Sequence, residues 1–177
     1  MNFLSENSTL KHKEFLRQLK LRYSVLEKSY ANIAACSLKE IAAKKIPYEI
    51  KNEAIKKRCE IELHELYFNS FTDKFYPSAA VKNIFGSEAN FLYQMEAELM
   101  ENYSCGFLLV YVNGRNKLSF QFGNELSDIF LKYTPLLAVD LWEHAYFDDF
   151  GFDRKRYVKI ALSRLDFSKI NDFYKIY

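Results

Sequence analysis

Apolar positions along the first third of the chain recur in alternating steps of three and four. Leu16, Leu19, Tyr23, Leu26, Tyr30 and Ile33 form one stripe, which predicts a long amphipathic helix from Thr9 to about Ala35. Lys11, Lys13, Arg17, Lys20, Arg22 and Lys28 fall mostly off that stripe, on the side expected to meet water. Continuing the stripe one turn toward the amino end reaches His12, so this histidine is expected to face inward. Ser37-Leu-Lys-Glu40 has the spacing of a capping box and predicts a short helical turn that Ile46-Pro47 ends. A second long helix is expected from about Tyr48 to Phe71, with Ile61, His64, Phe68 and Phe71 on one face. Two long helices with a short connection pack as an antiparallel hairpin.

Tyr76-Pro77 marks a boundary, dividing a helical-hairpin domain over residues 1–75 from an α/β domain over residues 76–177. Helical patterns open the second part, near Ser78 to Phe85 and Ser87 to Tyr103. The pattern then changes. Phe107-Leu-Leu-Val-Tyr-Val reads as a buried strand, Asn113-Gly114 as a hairpin turn and Lys117-Leu-Ser-Phe-Gln-Phe as the partner strand. Leu136-Leu-Ala-Val-Asp-Leu, introduced by Pro135, is a third strand; Asp153 can cap a helix through Arg164, and a short helical tail follows. The expected class is α+β: a long α-helical hairpin, then an α/β lobe with a small three-stranded antiparallel sheet.

Composition narrows the function classes. Hydrophobic residues at 49% against 27% charged describe a globular chain, and the 16 Phe and 13 Tyr allow a large core. A net charge of +2 is too balanced to require nucleic acid as a partner. Phe107 to Val112 is the longest apolar run, far short of the ~20 residues a membrane helix needs. The amino end, MNFLSENSTLKHK, lacks the basic-then-apolar order of a secretory signal. Cys36, Cys59 and Cys105 are odd in number and show no CxxC pair, which argues for a reducing cytoplasm and against a cysteine zinc site. Only three histidines occur, at 12, 64 and 144.

The densest chemistry lies in Asp140-Leu-Trp-Glu-His-Ala-Tyr146, at the end of a buried strand. Asp140 and His144, four apart at a strand-to-helix corner, can face one metal ion, although such a pair alone is more often a satisfied surface or core pair. The complete string is more specific. DLWEHAYF resembles the D-x-W-E-H-A-Y-Y signature of the iron/manganese superoxide dismutases. The resemblance extends to Pro135-Leu-Leu-Ala-Val upstream, and to Asp149-Phe150 and Arg154-Lys-Arg-Tyr157 downstream. Phe85-Gly86-Ser87, Asn90-Phe91, Asn113-Gly114 and Lys117-Leu118-Ser119 also match, as do His64-Glu-Leu-Tyr-Phe68 and Ser37-Leu-Lys-Glu-Ile41. It covers about Ser37 to Phe167 and is weak before Ser37.

This resemblance implies one Fe or Mn per chain, held by three histidines, one aspartate and a solvent molecule, cycling between +3 and +2 while superoxide becomes oxygen and hydrogen peroxide. Imidazole and carboxylate donors suit either metal. Asp140, His64 and His144 take the family's ligand positions; Tyr23, Trp142 and Tyr146 are the expected catalytic residues, with Trp142 and Tyr146 walling the site. Glu143 is expected to reach the ligand histidine of a partner subunit in a homodimer. For the first ligand three registers compete. Setting Tyr23 on the family's tyrosine puts Phe15 at the ligand position; a second register puts Glu14 there; a third starts from His12 and lacks the tyrosine. His12 and Tyr23 lie on the inward stripe and Glu14 does not. Their separation is about 16 Å of helix rise, against about 12 Å for the family's spacing of eight. His12 completes the count of three histidines.

Other positions depart from the family. Where it keeps a glutamine beside the metal-bound solvent, this chain has Glu60 and Glu125, with Gln121 several residues out of register. A carboxylate there is expected to favour the more positive, oxidised metal. Phe107 and Leu109 stand at tryptophan positions, and Phe147 replaces a tyrosine whose partner histidine is also absent. A catalytically degenerate member, binding metal or serving structurally, is therefore the alternative to a working dismutase.

Overall fold

The computed structural model describes residues 3–29, 33, 36–74, 76–102 and 104–176, with the backbone alone at 26–29 and 176. Helix α1 (Glu6–Ser29) ends before the expected Ala35. Tyr30, Ala35 and Tyr103, and the side chain of Leu26, lie outside the described residues. A short α2 (Leu38–Ala43) opens on the capping box: Ser37 accepts from the Glu40 amide and the Glu40 carboxylate accepts from the Ser37 amide. Pro47, which has no amide proton to lose, starts α3 (Tyr48–Phe68). That helix stops a turn short of Phe71, which instead forms a bridge with Leu165.

Ser78 and Ser87 cap α4 (Ala79–Phe85) and α5 (Glu88–Glu101), and Gly86 between them has φ +80°, where a side chain would be strained. Strands β1 (Phe107–Val112) and β2 (Leu118–Gly123) follow, then α6 (Ser127–Lys132), β3 (Thr134–Asp140), α7 (Glu143–Phe150), α8 (Arg154–Ser163) and α9 (Ser168–Ile176). Helix α6 has no counterpart in the sequence reading: six residues carry too little periodicity to register. The β1–β2 connection runs from Asn113 to Lys117, and its positive φ falls on Asn116 rather than on Gly114.

The sheet is antiparallel in the order β2-β1-β3. Pro135 pairs within β3, which it can do because β3 is an edge strand, and the register slips there. Alternation assigns the two faces. Leu108, Val110, Leu137 and Val139 pack with Phe91, Met95, Tyr157 and Val158 of α5 and α8. Phe107, Leu109 and Ala138 pack with Cys59, Leu63 and Tyr67 of α3 and with Ile129 and Phe130 of α6. Asp140 has the parity of Ala138, so its side chain emerges toward α3. Buried Ser70, just past α3, fastens that edge: its hydroxyl accepts from the Ala138 amide at 2.8 Å and its carbonyl from the Asp166 amide at 2.8 Å. No described helix is long and apolar enough to cross a membrane.

Candidate metal centre

Four elements deliver four donors to one point. Helix α1 brings His12, which shares its buried face with Ser8, Leu16 and Tyr23. Its amino end is tied to α7, since the Ser5 amide donates to Asp149 at 2.8 Å and Lys11 pairs with Asp148 at 2.6 Å. Helix α3 brings His64, and the end of β3 with the start of α7 brings Asp140 and His144. The ligating atoms of these four side chains all lie within 4.8 Å of one another. The Asp140 Oδ2 oxygen stands 3.0 Å from His12 Nε2, 3.2 Å from His144 Nε2 and 3.5 Å from His64 Nε2. His12, His64 and Asp140 are buried, whereas the His144 side chain keeps 27% of its surface exposed.

Hydrogen bonding within the cluster leaves His12 without a partner. His64 Nδ1 donates to the Glu60 carbonyl at 2.7 Å, which leaves its Nε2 as a bare lone pair facing His144 Nε2 at 3.3 Å. Neither ring nitrogen of buried His12 makes a hydrogen bond, although its Nε2 stands 3.0 Å from Asp140 Oδ2. An orphaned buried nitrogen costs about 1–3 kcal/mol, and a cation shared with Asp140 would take up the His12 Nε2 lone pair. Burial pushes the His64 imidazole down to about 4, so it is neutral, the ligating form, at pH 7. Burial alone would raise the Asp140 carboxyl, but the contacts with His12 and His144 outweigh it and hold it at about 2, fully ionised. The Oδ1 oxygen accepts from the Trp142 amide at 2.8 Å, which aims Oδ2 at the imidazoles. Three nitrogens and one hard oxygen without a thiolate suit iron or manganese.

Aromatic rings close around the donors. Phe15 stacks on His144 at 4.2 Å, Phe68 and Tyr67 lie 4.8 and 4.9 Å from His12, and Phe107 meets His64 edge-on at 5.1 Å. Phe15 is thus a wall, and Glu14 lies outside on the solvent face, paired with Arg17 at 2.7 Å; neither is a ligand. Tyr23 sits three turns from His12, its hydroxyl donating to the Ile33 carbonyl and its ring packed with Leu16, Ile33 and Ile41. Tyr146 stacks on Tyr157 at 4.9 Å. Trp142 and Glu60 border a pocket of about 210 Å³ that Glu125, Lys56, Asn124, Cys59 and Phe107 also line, with Lys56 and Glu125 paired at 3.2 Å. Gln121 is exposed on β2. On the other side, Lys11, Glu143, Phe147 and Asp148 surround the exposed edge of His144.

Sequence reasoning missed the roles of Phe15 and Tyr67 and the bond from the Tyr157 hydroxyl to the Asp140 carbonyl at 2.7 Å. Only the phase of Tyr67, three residues past His64 on α3, hinted at it.

The family model described as iron/manganese superoxide dismutases, C-terminal domain, matches residues 76–173, more than half of the chain. The chain is 31% identical over 96 residues to the superoxide dismutase [Fe] of Plasmodium falciparum (isolate 3D7), covering 52% of this chain and 48% of that protein. The superoxide dismutase [Fe] of Plasmodium vivax gives the same figures, 31% over 96 residues with 52% and 48% covered. That of Synechococcus elongatus is 34% identical over 91 residues, 49% of this chain and 45% of that protein. The chain spans about half the length of the curated relatives it matches. Asp140 and His144 lie inside the span of the family model, while His12 and His64 precede it.

Proposed function

Because the chain belongs to the iron/manganese superoxide dismutase family, we propose that it holds one Fe or Mn per chain and removes superoxide. The observation that carries this reading is the convergence of His12, His64, Asp140 and His144, whose ligating atoms lie within 4.8 Å of one another while neither nitrogen of buried His12 finds a hydrogen-bond partner. When bound, such a metal supplies a one-electron couple that oxidises one superoxide to oxygen and, with two protons, reduces the next to hydrogen peroxide. The chain's own residues do the rest. Asp140 stays anionic and offsets the cation's charge. The Glu60 carbonyl fixes the ring orientation of His64, and the Trp142 amide fixes that of the carboxylate. Phe15, Phe68, Tyr67 and Phe107 exclude bulk water from the donors. Trp142 and the exposed edge of His144 face the two pockets through which a small anion reaches them. Lys11 at the mouth beside His144 adds a positive charge, though Asp148 partly neutralises it.

A cytoplasmic homodimer with exposed Glu143 at its interface completes the reading. The departures favour one second reading, a member that binds metal without turnover. Glu60 and Glu125 line the pocket at the places where the family has glutamine, and Tyr23 is too far along α1 to join His12. Metal analysis of the purified protein with a superoxide-removal assay separates the two. One Fe or Mn per chain with rapid removal supports the dismutase; full metal with negligible removal supports the second reading. A protein that retains no metal refutes both.

A further inference from the structure

Two fully buried tyrosines lie behind the four donors. Tyr67, one turn past His64 on α3, has its ring 4.9 Å from that of His12. Tyr157 on α8 gives its one hydroxyl proton to the backbone carbonyl of Asp140 at 2.7 Å. Its oxygen then has only lone pairs to offer the Tyr67 hydroxyl, 3.3 Å away, so Tyr67 is the donor. The relay therefore has a single direction, from Tyr67 to Tyr157 to Asp140, and every proton in it is used. Tyr67 belongs to the apolar cluster on the α3 side of the sheet and Tyr157 to the cluster on the α8 side. The hydroxyls thus bridge the two cores and end on the residue that carries the ligand carboxylate. Phenylalanine would fill both places without burying polar atoms, and bonds of this kind polarise one another in a dry interior.

We propose that Tyr67 is a positioning residue for the metal site: acting through Tyr157, it holds the end of β3 so that Asp140 and His64 share one cation. This rests on the metal-binding reading above. The test uses Co²⁺ as the probe, titrated into chelator-treated parent, Tyr67→Phe, Tyr157→Phe and the double variant. Affinity and visible ligand-field bands are followed, with circular dichroism and the thermal midpoint of each metal-free protein.

Each single variant is expected to bind Co²⁺ roughly tenfold more weakly, with shifted bands. The double variant is expected to bind no more weakly than Tyr157→Phe, because Tyr67 acts only through that hydroxyl. Parental affinity and bands in Tyr67→Phe, additive losses in the double variant, or a lowered midpoint with unchanged bands would each overturn the relay. So would failure of Tyr67→Phe to fold, since the hydroxyl would then serve the fold and not the site. A parent that takes up no Co²⁺ defeats the metal-binding reading itself, whereas a binding parent with an unchanged Tyr67→Phe defeats only the relay.

Discussion

Acidification of the metal-free protein should expose how the site is held. His64 is 1% exposed, and burial holds its imidazole at about 4 in the fold against an ordinary value of 6.5. The native chain thus keeps His64 neutral where the unfolded chain protonates it. Because the folded value is depressed, the stability this residue contributes is fully present above pH 6.5. It is lost progressively as pH falls from 6.5 toward 4, and below 4 the group has no further effect. A fall from 6.5 to about 4, at roughly 1.4 kcal/mol per decade, amounts to about 3 kcal/mol. Asp140 acts in the same sense lower down, since its stabilisation is present above 3.8 and disappears toward 2. The assay is urea denaturation of chelator-treated protein at pH 7.5, 5.5 and 4, for the parent and for His64→Gln. The parent should lose about 3 kcal/mol more than the variant across that range. Parallel pH profiles for the two proteins would refute the placement of a neutral, buried His64 in the apoprotein.

Other consequences are simpler to state. His12→Ala should lower metal affinity by tenfold or more, measured as metal retained after dialysis against a chelator; full retention would exclude His12 as a donor. Ser70→Ala leaves the Ala138 amide without its partner at the buried edge of β3 and should cost about 1–3 kcal/mol in chemical denaturation; parental stability would refute that pinning. Burial pushes the Cys59 thiol up to about 12, so alkylation at pH 8 followed by mass spectrometry should leave Cys59 unmodified in folded protein. Labelling of Cys59 as fast as in urea would contradict its packing beside Glu125.

What could be read in the chain itself was whatever sat close together along it. Asp140, Trp142, Glu143 and His144 fall within five residues, so their chemistry is visible as a string. The continuous apolar runs of β1 and β3 foretold a buried sheet, but not that β1 lies between β2 and β3, because strand order is decided by packing on α3, α5 and α8. His12 was reachable only through helix phase. The competing registers through Phe15 and Glu14 were separated by burial, with Phe15 against His144 and Glu14 in solvent. The link between Tyr67 and Tyr157 spans 90 residues and leaves no local trace. Helix α6 and the early ends of α1 and α3 were missed for a related reason. Residues beyond those ends keep apolar character because they pack, as Ile33 and Phe71 do, without being helical.

The decisive measurement is anomalous diffraction at the iron and manganese absorption edges from crystals of protein purified without chelator. A single peak enclosed by the Nε2 atoms of His12, His64 and His144 and by Oδ2 of Asp140 is the expected result. A map with no peak among those atoms, or one in which His12 turns away from the ion, would contradict it.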